Sequence, residues 1–391
     1  MISKVLFIIK SATKFELKYF VYLALPFLPI DLLNLSSLFI FDIFSIKLLQ
    51  WFDMFGRKDL PWQKNPSAYS VWVSEIMLQQ TRVATVIPYY QRFLQCYPDI
   101  KSLSLASLDE VLALWSGLGY YSRGRNLHKS AGLIVKNHGG KFPSESNSIK
   151  KLPGIGRSTA AAIQVFAFGK CYAILDGNVK RILTRYFGAE GYLGEKKLDT
   201  LLWKKAEELL PENKVNGDIE AYSQGLMDLG STICTRNKPK CAVCPIHLKC
   251  AALQKNKVGE FPAARPRKLL LVKETTMLMI IRRKEILLER RPSKGIWGGL
   301  WCLPEMPANE DISLYCDQKF GLKIKQLAHI PSVDHSFTHF KLRIYPKSML
   351  ADSKKLVINK GEQEWIPFCR VMELGIPAPV RSLLNLNFIK E

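Results

Sequence analysis

Three groups of side chains in this sequence have the type and spacing to do chemistry. Glu75 is an acid set among Val71, Trp72, Val73, Ile76 and Met77. If buried, such a carboxyl has its pKa raised and holds a proton near neutral pH; on the outer face of an amphipathic helix it is an ordinary surface acid. Asp176 follows the apolar run Tyr172–Leu175 and opens Gly177-Asn178-Val179-Lys180-Arg181. An Asp at that point caps a helix through the N–H groups of the next turn. The same carboxylate can also project into a cleft, with Lys180 and Arg181 offering cations to phosphates. The third group is Cys234-x6-Cys241-x2-Cys244-x5-Cys250. Clustered thiolates bind soft ions and clusters, and zinc is the general expectation for four of them. Zinc ribbons pair two CxxC units, however, and this set has one; the 6-2-5 spacing fits four ligands wrapped around a cubane iron–sulfur cluster better.

Two glycine-rich loops must position these groups. Leu152-Pro153-Gly154-Ile155-Gly156 is a tight loop entering a helix, in which Pro153 ends what precedes it and both glycines allow positive φ. Arg157-Ser158-Thr159 then leads into an alanine-rich run from Ala160 to Phe168. Small residues before a helix leave N–H groups free for an anion, although a glycine loop joining two packed helices needs no ligand. It is not a nucleotide-binding P-loop, because no GK[ST] follows. The second loop is Trp115-Ser116-Gly117-Leu118-Gly119-Tyr120-Tyr121-Ser122-Arg123-Gly124-Arg125. A glycine-flanked Leu–Tyr tip beside arginines has the form of a duplex-entering wedge, or of a tyrosine pair packed in a core. Gln79-Gln80-Thr81 carries amides and a hydroxyl suited to base edges.

Composition narrows the partner. Lys and Arg number 56 against 34 Asp and Glu, a net charge of +22 that points to a polyanion, either nucleic acid or an anionic membrane. Arg236, Lys238 and Lys240 lie between the first two cluster cysteines, so that loop presents cations, which favours a structural, DNA-facing role for the cluster over electron transfer. The other five cysteines are scattered, which argues for a reducing compartment and against a disulfide framework.

Along the chain, residues 1–43 read as an apolar extension outside the folded protein, with a membrane anchor and a translation start further down as the alternatives. Tyr19–Phe41 has Asp31 as its sole charge, yet Pro26, Pro29 and Asp31 break it as a membrane span, and no secretory cleavage site follows. From 44 to 253 helical spacing dominates: a first helix ends at Gly56, Asn65-Pro66 opens a second, and others are expected at 82–95, 107–116, 121–137, 158–168, 178–187, 198–210 and 219–230. Residues 254–268 form a basic linker. Beyond it, 269–391 reads as a smaller α+β domain, with a hairpin at 275–282 and 285–289, strands at 342–345 and 364–366, and a helix at 312–320.

Taken together, these motifs closely resemble the adenine DNA glycosylases of the MutY type, within the helix-hairpin-helix superfamily. The resemblance runs from about Leu48 to Leu384 and rests on LPWQ (60–63), SEIMLQQT (74–81), GLGYYSRGRN (117–126), LPGIGRSTA (152–160), ILDGNVKR (174–181), MDLG (227–230) and the cysteine set. It implies a six-helix barrel domain, a second helical domain carrying a [4Fe–4S] cluster on Cys234, Cys241, Cys244 and Cys250, DNA between the two, and a C-terminal Nudix-like domain. It further implies a monomer, at work in the cytoplasm on the nucleoid, with no membrane partner and no nucleotide cofactor.

The implied substrate is duplex DNA with adenine opposite 8-oxoguanine or G, the base being flipped out for reaction. By the resemblance Glu75 is the general acid and base, Asp176 stabilises the cationic sugar or bonds to it transiently, and Asn178 supports both. Gln80 and Tyr120 wedge beside 8-oxoguanine with Thr81 and Leu118 next to it, and Trp62 and Gln224 line the adenine pocket. Gly154 and Gly156 hold phosphate, with an alkali cation at the hairpin, and Lys180 adds a cation. Phe337-Thr338-His339 stands where the family reads Phe-Ser-His in its lesion loop; threonine keeps the hydroxyl and adds a methyl. Trp297-Gly298-Gly299-Leu300-Trp301 and Leu303-Pro304-Glu305 match the Nudix-like part, but the acidic cluster that binds Mg²⁺ in Nudix hydrolases is missing, so pyrophosphatase activity is not expected.

Two rival readings remain at this stage. An endonuclease III-like pyrimidine glycosylase and lyase would carry a lysine nucleophile where this chain has Ser158, and would lack the C-terminal domain. A non-catalytic iron–sulfur DNA-binding protein would lack Glu75 or Asp176, and both are present.

Overall fold

The computed structural model describes residues 38–211, 218–266, 269–307, 310–352 and 362–388. Residues 1–37 of the apolar extension therefore lie outside the described residues, while 38–43, expected outside the fold, are the start of its first helix. Among those described there are fifteen α-helices and an eight-stranded mixed sheet, and no helix long and apolar enough to cross a membrane.

The helices divide between two apolar clusters. The first gathers α2 (Ala68–Leu78), α3 (Val83–Cys96), α5 (Leu108–Trp115), α6 (Ser122–His138) and the start of α8 (Arg157–Phe168) around Trp72, Phe93, Trp115, Leu127 and Ile134. Between them run two short helices that spacing alone had not announced, α4 (Ile100–Leu105) and α7 (Ser146–Lys150). The second cluster joins α1 (Leu38–Phe55) to α9 (Gly177–Phe187), α10 (Lys196–Glu208) and α11 (Asp218–Thr232) through Phe44, Leu48, Val179, Ile182, Leu202, Tyr222 and Leu229. Helix α1 is thus first in sequence but packs with the later helices.

Local chemistry sets the boundaries. Helix α2 begins two residues past the expected Asn65-Pro66, because the Ser67 hydroxyl accepts from the Ser70 N–H at 3.1 Å and caps it. Its Val71, Trp72, Val73, Ile76 and Met77 are all buried, so the helix runs through the core rather than over it. Helix α9 has the Asp176 cap expected from sequence, Oδ1 accepting from the Val179 N–H at 2.7 Å. Of the two hairpin glycines, only Gly154 has positive φ, +83°. Gly156 sits at φ −88° as the N-cap of α8 and does not use the positive φ that its residue type allows; its use is to leave the helix N-terminus open.

The basic linker is tied down. After α12 (Ala251–Gln254), Ala263 pairs with Gly191 through a 3.0 Å bond, and the Phe261 carbonyl accepts from Arg185 Nε at 2.9 Å. The sheet follows, with β1 (Leu271–Arg282) and β2 (Glu285–Arg290) forming the expected hairpin through Ile281 and Ile286. Strand β1 runs parallel to β7 (Phe340–Ala351), Leu271 opposite Phe340 through Ile281 opposite Leu350. Strands β3 (Trp301–Cys302) and β8 (Gln363–Pro367) flank β2, β4 (Glu305–Met306) pairs with β1, and β5 (Ile324–His329) and β6 (Val333–Ser336) pair with β7.

Period-two alternation in β1 sends Leu278 and Ile280 towards α13 (Ile312–Phe320), where Cys316 and Phe320 meet them. Met277 and Met279 face the other way, into the apolar cluster that contains Leu112, Trp115 and Tyr121 of the helical part. The two parts therefore share one core. Tyr121 Oη donates to the Ile376 carbonyl at 3.1 Å and Arg290 pairs with Asp109 at 2.6 Å across the same junction. The remaining two helices, α14 (Phe368–Val371) and α15 (Ala378–Phe388), close this side.

Candidate active site

A cavity of about 690 Å³ lies between the two helical clusters. Trp62, Val71 and Glu75 line one wall, and Ile174, Asp176, Asn178 and Gln224 the other; Gln80, Thr81 and Ser158 are also on its surface. The chain thus brings together residues separated by about a hundred positions, through the last turn of α2 and the first of α9.

The two carboxyls sit in different surroundings. Burial, and then the neighbouring Asp176, push Glu75 up to about 8. No described residue donates a hydrogen bond to its carboxyl, so nothing supports a charge there. Asp176 is also raised by burial, but the Val179 and Asn178 N–H groups, Arg181 and the Asn178 side chain all act to lower it. Asn178 Nδ2 reaches Asp176 Oδ2 at 3.3 Å. Two acids whose environments differ in this way are suited to different protonation states, Glu75 having no donor to stabilise a charge and Asp176 having several.

Asp176 is braced from behind. Arg181 Nη2 donates to Asn178 Oδ1 at 3.0 Å and to the Gly230 carbonyl at 2.6 Å, while its Nε donates to the Cys234 carbonyl at 2.8 Å. Gly230 is needed there, because a Cβ would lie 2.6 Å from that of Asn178. Ser158 Oγ accepts from the Leu175 N–H at 3.2 Å, pinning the segment before Asp176 to the start of α8. Lys180 is paired with Asp199 at 2.8 Å, so it is not a free cation in this state.

The four cysteines line one small pocket with Arg185 and Tyr186. None is in a disulfide, and Arg185 Nη1 donates to Cys234 Sγ at 3.3 Å and to the Thr235 carbonyl at 2.7 Å. Burial pushes the Cys244 thiol up to about 12, with the three neighbouring sulfurs adding to it. Among the described residues no group of three or more His, Cys, Asp or Glu converges on a point that would hold a single ion.

Sequence reasoning missed the residue that ties the site's edge together. Arg123 is buried; its Nη1 donates to the Ile76, Met77 and Gln79 carbonyls (3.0, 2.7 and 2.6 Å) and its Nη2 to Thr81 Oγ1, Leu118 O and Gly119 O (3.1, 3.1 and 3.2 Å). It satisfies the open carbonyls at the end of α2 and binds them to the glycine loop. On either side of it stand Gln80 and Tyr120, both held at positive φ, 58° and 46°. Leu118 is buried and Tyr120 is 47% exposed, which makes Tyr120 the loop's tip. Replacing Arg123 by Met should cost about 3 kcal/mol in denaturant unfolding, since several buried carbonyls lose their donor. An unchanged midpoint would remove the clamp from this account.

In the sheet domain, Phe337, Thr338 and His339 form the turn between β6 and β7. Phe337 stacks on Phe340 with ring centroids 4.4 Å apart and meets Trp297 at 5.6 Å, while Thr338 is exposed, its Oγ1 3.3 Å from His339 Nδ1. These residues do not line the cavity.

Comparison with known proteins bears directly on this arrangement. Residues 73–208 match the model of the HhH-GPD superfamily of base-excision DNA repair proteins, and residues 276–386 match that of the NUDIX domain. An adenine DNA glycosylase of Buchnera aphidicola is 40% identical over 349 residues, covering 89% of this chain and 98% of that protein. The chain belongs to the adenine DNA glycosylases. The mouse adenine DNA glycosylase is 33% identical over 410 residues, covering 88% of this chain and 77% of its own. A solved thermostable thymine-DNA glycosylase is 28% identical, spans 55% of this chain and 97% of its own, and superposes with a TM-score of 0.49. This adenine glycosylase is a base-excision repair enzyme whose partner is DNA.

Proposed function

We propose that this adenine glycosylase removes adenine mispaired with 8-oxoguanine or with G, and that Glu75 and Asp176 do the chemistry. The observation that carries the reading is the pair of carboxyls on opposite walls of one cavity, one without any donor and one with several. In the proposed reaction Glu75 protonates N7 of the extruded adenine. The C1′–N9 bond then breaks, its electron pair leaving with the base. The cation at C1′ is stabilised by the Asp176 carboxylate, or bonds to it transiently, with Asn178 holding that carboxylate in place. Glu75, now ionised, takes a proton from water as the oxygen adds to C1′. Trp62 and Gln224 bound the adenine pocket. Ser158, where related lyases carry lysine, holds backbone and offers no amine, so the chemistry ends at base removal.

The remaining assignments follow the same reading. Gln80, Thr81, Leu118 and Tyr120 enter the duplex from the braced edge. Gly154 and Gly156 present N–H groups to a phosphate, with an alkali cation at the hairpin, and Lys180 joins them by leaving Asp199. The four thiols, gathered without disulfides beside Arg185, suit a [4Fe–4S] cluster, which would supply folding energy and hold the loop that supports Arg181. Phe337, Thr338 and His339 read the oxidised base opposite. Thr338→Ala should then narrow the preference for 8-oxoguanine:A over G:A by roughly tenfold, the worth of one hydrogen bond, in single-turnover assays of the two duplexes. Equal preference in variant and wild type would move that task elsewhere.

The reading is tested with purified protein on duplexes containing 8-oxoguanine:A, G:A and thymine glycol, with and without alkali. Adenine release with strand breaks only after alkali supports it. Breaks without alkali would favour an endonuclease III-like lyase, and no release from any duplex a non-catalytic binder.

A further inference from the structure

Asp228 is buried in the wall behind the cavity and accepts four hydrogen bonds. Three come from Arg57, through its backbone N–H (2.7 Å), Nε (3.0 Å) and Nη2 (2.6 Å), and the fourth from Gln224 Nε2 at 2.8 Å. Arg57 is held in turn, its carbonyl accepting from Gln63 Nε2 and its Nη2 donating to Ser231 Oγ, both at 3.0 Å. The loop that carries Trp62 and the helix that carries Gln224 are therefore fastened to each other through one carboxylate.

That carboxylate decides which way the Gln224 amide faces. A carboxylate ion-paired with Arg57 can only accept, so Gln224, which lines the cavity, offers its NH₂ to Asp228 and keeps Oε1 as an acceptor. No described residue donates to that oxygen. We propose that Asp228, fixed by Arg57, is a positioning residue that keeps Gln224 as a hydrogen-bond acceptor in the pocket and thereby selects a purine with an amino group at C6 over one with an oxo group. An amino group donates to Oε1; an oxo group meets it lone pair to lone pair. A buried polar group left facing the wrong partner is a strong discriminator, where shape alone separates two isosteres weakly. This rests on reading the cavity as the adenine pocket.

The test is single-turnover release of adenine and of hypoxanthine from otherwise identical 8-oxoguanine duplexes. In Asp228→Asn the partner at 228 can both donate and accept, so the amide is free to turn. The adenine-to-hypoxanthine ratio should fall by roughly tenfold or more, about one hydrogen bond, and Asp228→Glu should restore it. Thermal melting shows whether the variant is folded before the ratio is read. An unchanged ratio in Asp228→Asn overturns the proposal. If that variant does not fold, Gln224→Leu carries the test: loss of discrimination supports the proposal, and full discrimination without the amide overturns it. Wild-type protein that releases neither base would instead overturn the reading of the cavity itself.

Discussion

Replacing Glu75 by Gln should slow adenine release by roughly a thousand-fold, within the range typical of a lost general acid and base, while binding to an 8-oxoguanine:A duplex is retained. The amide fills the same space but cannot protonate the leaving base or take a proton from water. The wild-type pH profile should also change in a defined direction. Glu75, pushed up to about 8 by burial and by Asp176, is protonated and competent below that pH, and release should decline as pH rises through it. Glu75→Gln should be flat there. Stability has the same origin. Between the ordinary carboxyl value and about 8 the folded chain binds a proton that the unfolded chain has released, so stability falls as pH rises across that window. Thermal melts at pH 5 and pH 8 should therefore differ more for wild type than for Glu75→Gln. A variant that releases adenine at near wild-type rate would end the assignment.

Asp176→Asn should have an effect of the same order, and for a separable reason. Asn is as good an N-cap as Asp, so the bond to Val179 N–H can persist and the melting temperature should stay close to that of wild type. What disappears is the negative charge across from the sugar. Loss of one preorganised electrostatic contact costs about a hundred- to a thousand-fold, read as single-turnover release with duplex affinity unchanged. If Asp176→Asn instead unfolds while its residual folded fraction is fully active, Asp176 is a cap and nothing more. The two variants thus divide the roles: the Glu75 substitution removes the pH limb, whereas the Asp176 substitution lowers the rate and moves the limb to lower pH without removing it, because one of the two causes that raise Glu75 is gone.

The helices and the site were legible to different depths. Helices such as Arg157–Phe168 and Ile312–Phe320 were visible because their apolar spacing and flanking glycines are local signals. Strands β5 and β6 were not, since β5 shows an almost wholly exposed pattern with no alternation to read. Glu75 and Asp176 stand out through their apolar or capping context, and the cysteines through spacing. Arg123 and Asp228 carry no such mark. Arg123 acts on carbonyls of α2, and Asp228 on Arg57, which is 171 positions away. Their importance lies in backbone oxygens and distant partners, neither of which leaves a trace in residue type. The same holds for Gly156, whose residue type allows a left-handed turn and which the structure uses as an open helix end.

The continuous core under Leu112, Trp115 and Tyr121 on one side and Met277, Met279 and Leu300 on the other has a mechanical consequence. A molecule built on one core has no soft joint there about which its helical and sheet parts can swing closed on a bound duplex. The work of fitting must then fall on the DNA, whose resistance depends on the base step being opened.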